Sequence, residues 1–250
     1  MTATPIFRSV TISSLPPLRI PNSTRIPTAP IAAPRTWLWR EFEHRTSLIV
    51  DPADGRIPAL TPAAQQRRAA LAARDRAPAG PEDLNANTRC ITPGVPRIGG
   101  VGADPLYGYY QIVQGPGYVV LVMETFHDAR IIPLDGRLHL PQSVRQWSGD
   151  SRGRWEGATL VVDTTNFAAT CNVLGSGDRL HLVERFTRVS PDTIDYEVTA
   201  DDPTTWTKPW TVLVHLKQMS VEIYEYACHE GNAHSMQAIL AGARADERGR

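Results

Sequence analysis

Leu180-His181-Leu182-Val183-Glu184-Arg185-Phe186-Thr187-Arg188 is the stretch that decides the fold class. Side chains of a strand alternate between its two faces. Here Leu180, Leu182, Glu184 and Phe186 share one face, and His181, Val183, Arg185 and Thr187 share the other. Glu184 therefore stands in an apolar row. Working outward, β-branched and aromatic segments of similar length, separated by Gly, Pro and Asp turns, recur at about 108–114, 117–126, 129–134, 158–165, 193–200, 210–217 and 221–228. Seven or eight short strands with mostly short links predict a mainly β protein, an antiparallel lipocalin-like barrel or a sandwich. Thr61-Pro62 supplies an N-cap and a first-turn proline for one N-terminal helix over about 62–77, and a short C-terminal helix is expected over about 232–246.

Composition divides the chain unevenly. Its 26 basic and 26 acidic side chains cancel, yet residues 1–40 hold five arginines and no acid, so the remaining 210 residues carry 21 basic against 26 acidic groups. Seven of the 21 prolines also fall in residues 1–40. Residues 1–43 are thus expected to be a largely disordered leader, in which Trp37, Leu38, Trp39 and Phe42 form a docking segment. Residues 44–106 read as a helix and loop extension packed on the body, and 107–250 as the barrel with its C-terminal helix. A mildly acidic body argues against nucleic acid as a partner. With lysine only at 208 and 217, Schiff-base chemistry has almost no candidates. No run approaches the roughly 20 apolar residues of a transmembrane helix. As it stands, the sequence reads as a soluble, cytoplasmic chain, and a homodimer is compatible with it. The three cysteines, Cys90, Cys171 and Cys228, are far apart and odd in number, which predicts neither a C-x-x-C metal signature nor a disulfide framework.

Other carboxylates share the placement of Glu184. Glu124 is in phase with Tyr118, Val120 and Val122, Asp163 with Val161, and Glu225 with Val221 and Ile223; Tyr196 lies between Ile194 and Val198. Burying a carboxylate costs several kcal/mol unless partners or water meet it. Carboxylates on several strands therefore point to an internal polar site, or to structural pairs with arginine. A truly internal Glu184 would have a pKa raised toward proton transfer, and an arginine partner would act in the opposite sense.

His127-Asp128-Ala129-Arg130 follows the strand expected at 117–126, where a rigid element meets a loop. His127 there suits a general acid or base oriented by a carboxylate such as Asp128, and Arg130 suits an oxyanion. Gly149-Asp-Ser151-Arg-Gly153 matches G-x-S-x-G literally, but a strand follows it where a nucleophile elbow needs a helix, so a glycine-rich hairpin is expected. Cys228-His229-Glu230-Gly-Asn-Ala-His234 spaces its histidines five apart, not the four of H-E-x-x-H, and no metal is predicted. Glycine-rich pieces that open no helix in a βαβ frame argue against nucleotide cofactors, and no cofactor is expected. Trp155, Tyr196 and Tyr226 belong to an aromatic set suited to a pocket for a hydrophobic or ring-bearing molecule, beside Glu124, Glu225 and His229.

His44-Arg-Thr-Ser-Leu-Ile-Val-Asp51, His127-Asp-Ala-Arg-Ile-Ile-Pro-Leu-Asp-Gly136, Gly149-Asp-Ser-Arg-Gly-Arg-Trp-Glu-Gly157, Thr159-Leu-Val-Val-Asp-Thr-Thr-Asn-Phe167, Asp201-Asp-Pro-Thr-Thr-Trp206 and Tyr224-Glu-Tyr-Ala-Cys-His-Glu-Gly231 resemble a large family of mostly exported bacterial β-rich proteins of unassigned activity. The resemblance covers about residues 44–246. It implies a lipocalin-like or related barrel and names no reaction. The residues themselves predict a cofactor-independent acid–base enzyme of the cyclase, isomerase, dehydratase or hydrolase kind, acting on a hydrophobic polyketide- or terpenoid-like molecule of secondary metabolism. In it Glu184 or His127 moves the proton, with Asp128, Arg130 and Asp163 in the catalytic set. A non-catalytic carrier of an apolar ligand is the alternative, and a serine hydrolase using Ser151 a weaker one.

Overall fold

Among the described residues the chain forms ten antiparallel strands. The computed structural model describes residues 35–40, 45–92, 94–98, 108–169 and 174–248. The strands are β1 (Arg35–Arg40), β2 (Ile49–Asp51), β3 (Tyr109–Gly115), β4 (Tyr118–Met123), β5 (Ala129–Pro133), β6 (Asp150–Glu156), β7 (Thr159–Thr165), β8 (His181–Ser190), β9 (Thr193–Asp201) and β10 (Trp210–Met219). They are ordered β5-β4-β3-β1-β10-β9-β8-β7-β6, with β2 added on β10. Two α-helices, α1 (Pro62–Arg76) and α2 (Asn232–Arg248), are found among the described residues. The mainly β, lipocalin-like architecture is the one the sequence predicts.

Turn chemistry sets the hairpins. Pro116 fixes its own φ and Gly117, at φ +79°, takes the left-handed position between β3 and β4. In β8 and β9 burial alternates residue by residue, and the inward row of β8 is Leu182, Glu184 and Phe186, as expected. Phe186 stacks on Tyr196 of β9 with ring centroids 4.3 Å apart. Thr61 caps α1, its Oγ1 accepting from the Ala64 N–H at 3.1 Å. Asp202 in the Asp-Asp-Pro-Thr-Thr-Trp turn accepts from Thr204 N, the Thr204 and Thr205 hydroxyls and Gly177 N. Those bonds hold its carboxyl below the usual range against the opposing effect of burial.

The two ends of the sheet path, β5 and β6, meet without a ladder, so the barrel is nearly closed. Gly153 of β6 makes this approach feasible: a Cβ there would stand 2.6 Å from Leu134 Cδ2 and 2.8 Å from Ile132 Cγ2. Backbone hydrogen bonds are replaced at this seam by side-chain packing and by the polar contacts described below.

Several local expectations change. The segment at 221–228 is not a strand but an irregular run leading into α2. The strand expected at 117–126 stops at Met123, whose N–H donates to Asp128 O at 2.8 Å across a tight turn. Its buried row is Val119, Leu121 and Met123, so the row carrying Glu124 faces outward. The docking segment is a full strand, β1, wedged between β3 and β10, with Trp37 buried. The glycine-rich hairpin expected around Gly149–Gly157 is present: residues 150–156 are strand β6, absent from the expected strands, and pair antiparallel with β7 from Asp150↔Thr165 to Glu156↔Thr159, the pairing overriding the weak strand propensity of a polar, glycine-containing run. Cys90 and Cys228, 138 residues apart, form a disulfide. Residues 1–34, Phe42 and Cys171 lie outside the described residues.

Candidate functional site

The residues singled out in the sequence fall into three places. The first is the barrel interior. Arg130 reaches from β5 across the seam and donates through Nη1 to Glu184 Oε1 at 2.9 Å, through Nη2 to Glu184 Oε2 and to Thr164 Oγ1 at 2.6 Å, and through Nε to Ser151 Oγ at 2.8 Å. Tyr196 donates its hydroxyl to Glu184 Oε1 at 2.5 Å. One guanidinium thus ties β5 to β6, β7 and β8, where the ladder is missing. Glu184 is 0% and Arg130 6% exposed. Burial works against the charge of Arg130, but the adjacent Glu184 carboxylate outweighs it and raises the guanidinium pKa. Burial and the same carboxylate push the Tyr196 phenol well up.

Glu184, Arg130 and Tyr196 are therefore brought together inside, as the alternation implied, and they are committed to one another. The arginine partner that opposes a proton-transfer role for Glu184 is present. Arg130 spends its donors on protein groups, not on a developing oxyanion. Ser151 sits in this network, sharing a 3.2 Å contact with Thr164 Oγ1, and among the described residues no histidine is within hydrogen-bond reach of it. Among the described residues Ser151 therefore has no histidine base beside it.

The second place is a cleft formed by Phe126, His127 and residues 225–230. It gathers His127, Glu225, Tyr226 and His229, and His127 Nε2 lies 3.7 Å from Glu225 Oε1. Glu225 is exposed at the surface, not internal, because 221–228 is not a strand. Asp128 stands apart from His127 and accepts from Thr92 Oγ1 at 2.9 Å and Arg97 Nη2 at 3.1 Å. Glu124 accepts from Tyr224 N at 2.9 Å, and Trp155 is exposed near the end of β6. Neither of these two faces the interior site.

The third place is the outer face of β6, β7 and β8. Inward Val162 and Thr164 leave Asp163 pointing outward, so it does not share a cavity with Glu184. There it bridges two histidines. Its Oδ1 is 2.8 Å from His139 Nε2, and its Oδ2 is 2.9 Å from His181 Nε2. His139 Nδ1 in turn lies 3.0 Å from Asp150 Oδ2, which also accepts from Leu140 N, while Asp150 Oδ1 pairs with Arg152 Nη1 at 2.6 Å. Burial acts to raise the Asp163 pKa, but the hydrogen bonds and charges of His181 and His139 bring it below the ordinary value. The Asp163 hydrogen bond raises that of His181, burial opposing and the Asp201 charge adding to it. The side chains of His139, Asp163 and His181 are 28%, 30% and 43% exposed, so the chain of groups meets solvent.

Strand alternation puts His181 on the face opposite Glu184 without giving it a role, and nothing in the sequence marks His139, because no local spacing announces three residues joined only by the fold. Among the described residues no group of three or more His, Cys, Asp or Glu is placed to hold a metal ion, and no described helix is long and apolar enough to cross a membrane. In comparisons with protein-family models, curated proteins and solved structures, nothing matches this chain.

Proposed function

We propose that the protein is a cofactor-independent acid–base enzyme for a hydrophobic, ring-bearing small molecule, with its reacting groups on the outer face of β6–β8. The carrying observation is the hydrogen-bonded chain His139–Asp163–His181, a titratable ring oriented by a carboxylate that is itself held by a second ring. With Nε2 engaged by Asp163, Nδ1 of His181 is the nitrogen that meets a substrate proton. Asp163 keeps the ring oriented and its proton held to higher pH, which suits His181 to act as the acid as well as the base. Exposed Leu138, Leu140 and Val144 lie in the same loop as His139 and offer apolar contact to a substrate.

Enolisation reports such chemistry whatever the final product. A set of ring-bearing ketones beginning with 2-tetralone is incubated with the protein in heavy water, and deuterium uptake beside the carbonyl is followed by mass spectrometry. Exchange above buffer is expected, falling by about 10²-fold in His181→Gln and Asp163→Asn. Saturable binding of these ketones without exchange would replace the enzyme by the carrier reading, and exchange unchanged in both variants would move the chemistry away from this face.

A further inference from the structure

Three features left without a role by the outer-face site converge on the cleft of ≈ 160 Å³ lined by Phe126, His127, Glu225, Tyr226, Cys228 and Glu230. Phe126 and His127 are successive non-glycine residues in the left-handed region, at φ +63° and +53°. Side chains with a Cβ take that conformation at a cost, so the surrounding structure must hold it. The turn is closed by His127 N donating to Glu124 O at 3.3 Å and Met123 N donating to Asp128 O at 2.8 Å, and the facing segment is pinned by the Cys90–Cys228 disulfide, by Asn232 Nδ2 donating to Thr88 O at 3.0 Å and by Tyr224 N donating to Glu124 Oε2 at 2.9 Å.

The walls state what the cleft can take. Its aromatic part is Phe126 and Tyr226, rings 5.3 Å apart and edge-to-face at 74°. The guanidinium of Arg97, paired with Asp128, already lies over the Phe126 ring at 5.4 Å, so this ring is used by the protein itself to receive a cation. Two carboxylates, Glu225 and Glu230, line the cleft, with His127 and His229 beside them. Carboxylates and aromatic rings in one lining select for positive charge on an apolar body. The volume is below the roughly 300 Å³ at which drug-sized pockets begin, so only a head group fits.

From this we infer that the cleft binds a small organic ammonium ion, a quaternary or primary amine head group, independently of the acid–base face. Glu225 and Glu230 supply the charge and Tyr226 the ring.

Choline and its uncharged carbon isostere 3,3-dimethylbutan-1-ol separate charge from shape. Each is titrated into the full, oxidised chain at about pH 8, above the usual histidine range, with the His127 and His229 ring signals followed by NMR. Choline is expected to shift both rings saturably and to bind about tenfold more tightly than the isostere. The Glu225→Gln/Glu230→Gln variant should lose most of that preference, and Tyr226→Leu should weaken choline while leaving thermal unfolding unchanged. Equal binding of the two probes, saturable shifts confined to other residues, or no saturable shift with choline would each overturn the inference. Neither ketone exchange nor its loss bears on these readouts, so the cleft stands or falls apart from the catalytic proposal.

Discussion

Replacing Arg130 by methionine keeps a long, flexible side chain in place and removes the cation paired with Glu184. Glu184 is 0% exposed and accepts from Arg130 at both oxygens, leaving Tyr196 as its remaining neutral donor. An uncompensated buried carboxylate costs about 3–5 kcal/mol. Ser151 and Thr164 lose a donor each but still face one another at 3.2 Å, so they add little. For a chain of this size each kcal/mol moves the midpoint by about 2–4 °C, which puts Arg130→Met roughly 6–20 °C below the parent. The assay is thermal and urea unfolding followed by circular dichroism. Adding Glu184→Leu should return most of the loss, because exchanging a whole buried pair for apolar groups is about neutral or stabilising. A single variant that loses less than about 1 kcal/mol would refute the reading of Arg130 as the tie across the β5/β6 seam, since breaking a buried pair does not come so cheaply. A double variant as unstable as the single one would show that the cost does not arise from the orphaned charge.

The seam gives a second test: Gly153→Ala drives a methyl into Ile132 and Leu134 and is expected to cost about 1–3 kcal/mol in the same unfolding assay. Reducing the Cys90–Cys228 bond, of a kind that persists in oxidising compartments, opens a closed loop spanning 138 residues. The chain-entropy account sets the loss at up to about 5 kcal/mol, to be read as a lower unfolding midpoint with reductant. The outer-face pair predicts opposite slopes at the two ends of the pH range. The raised pKa of His181 stabilises the fold fully below its ordinary 6.5, and that contribution is lost as pH rises through the folded value. The lowered pKa of Asp163 stabilises above 3.8 and is lost as pH falls through its folded value. Midpoints measured from acid to alkaline pH should therefore flatten at both ends in Asp163→Asn, with a small amplitude because the pair meets solvent.

Wherever a side chain's surroundings follow from local repetition, the sequence was sufficient. Period-two alternation announces β7 to β10, places Glu184 and Tyr196 in buried rows, and the Thr61-Pro62 pair starts α1 where it begins. The same alternation says that two faces exist but not which one turns inward. In β4 and β7 the neighbours across the sheet made that choice, turning Glu124 and Asp163 outward.

The strands β1 and β6 carry little pattern of their own and exist through their partners, so they are invisible until the sheet is assembled. The disulfide, the tie from Arg130 across the seam and the His139–Asp163–His181 chain share a cause. Each joins residues distant in sequence, and the specificity lies in the register of strands that meet only after the chain has folded. Local periodicity thus determined the element type and the presence of buried polar groups. Long-range strand pairing alone decided which of those groups became structural ties and which were left facing water, where chemistry with a substrate is open to them.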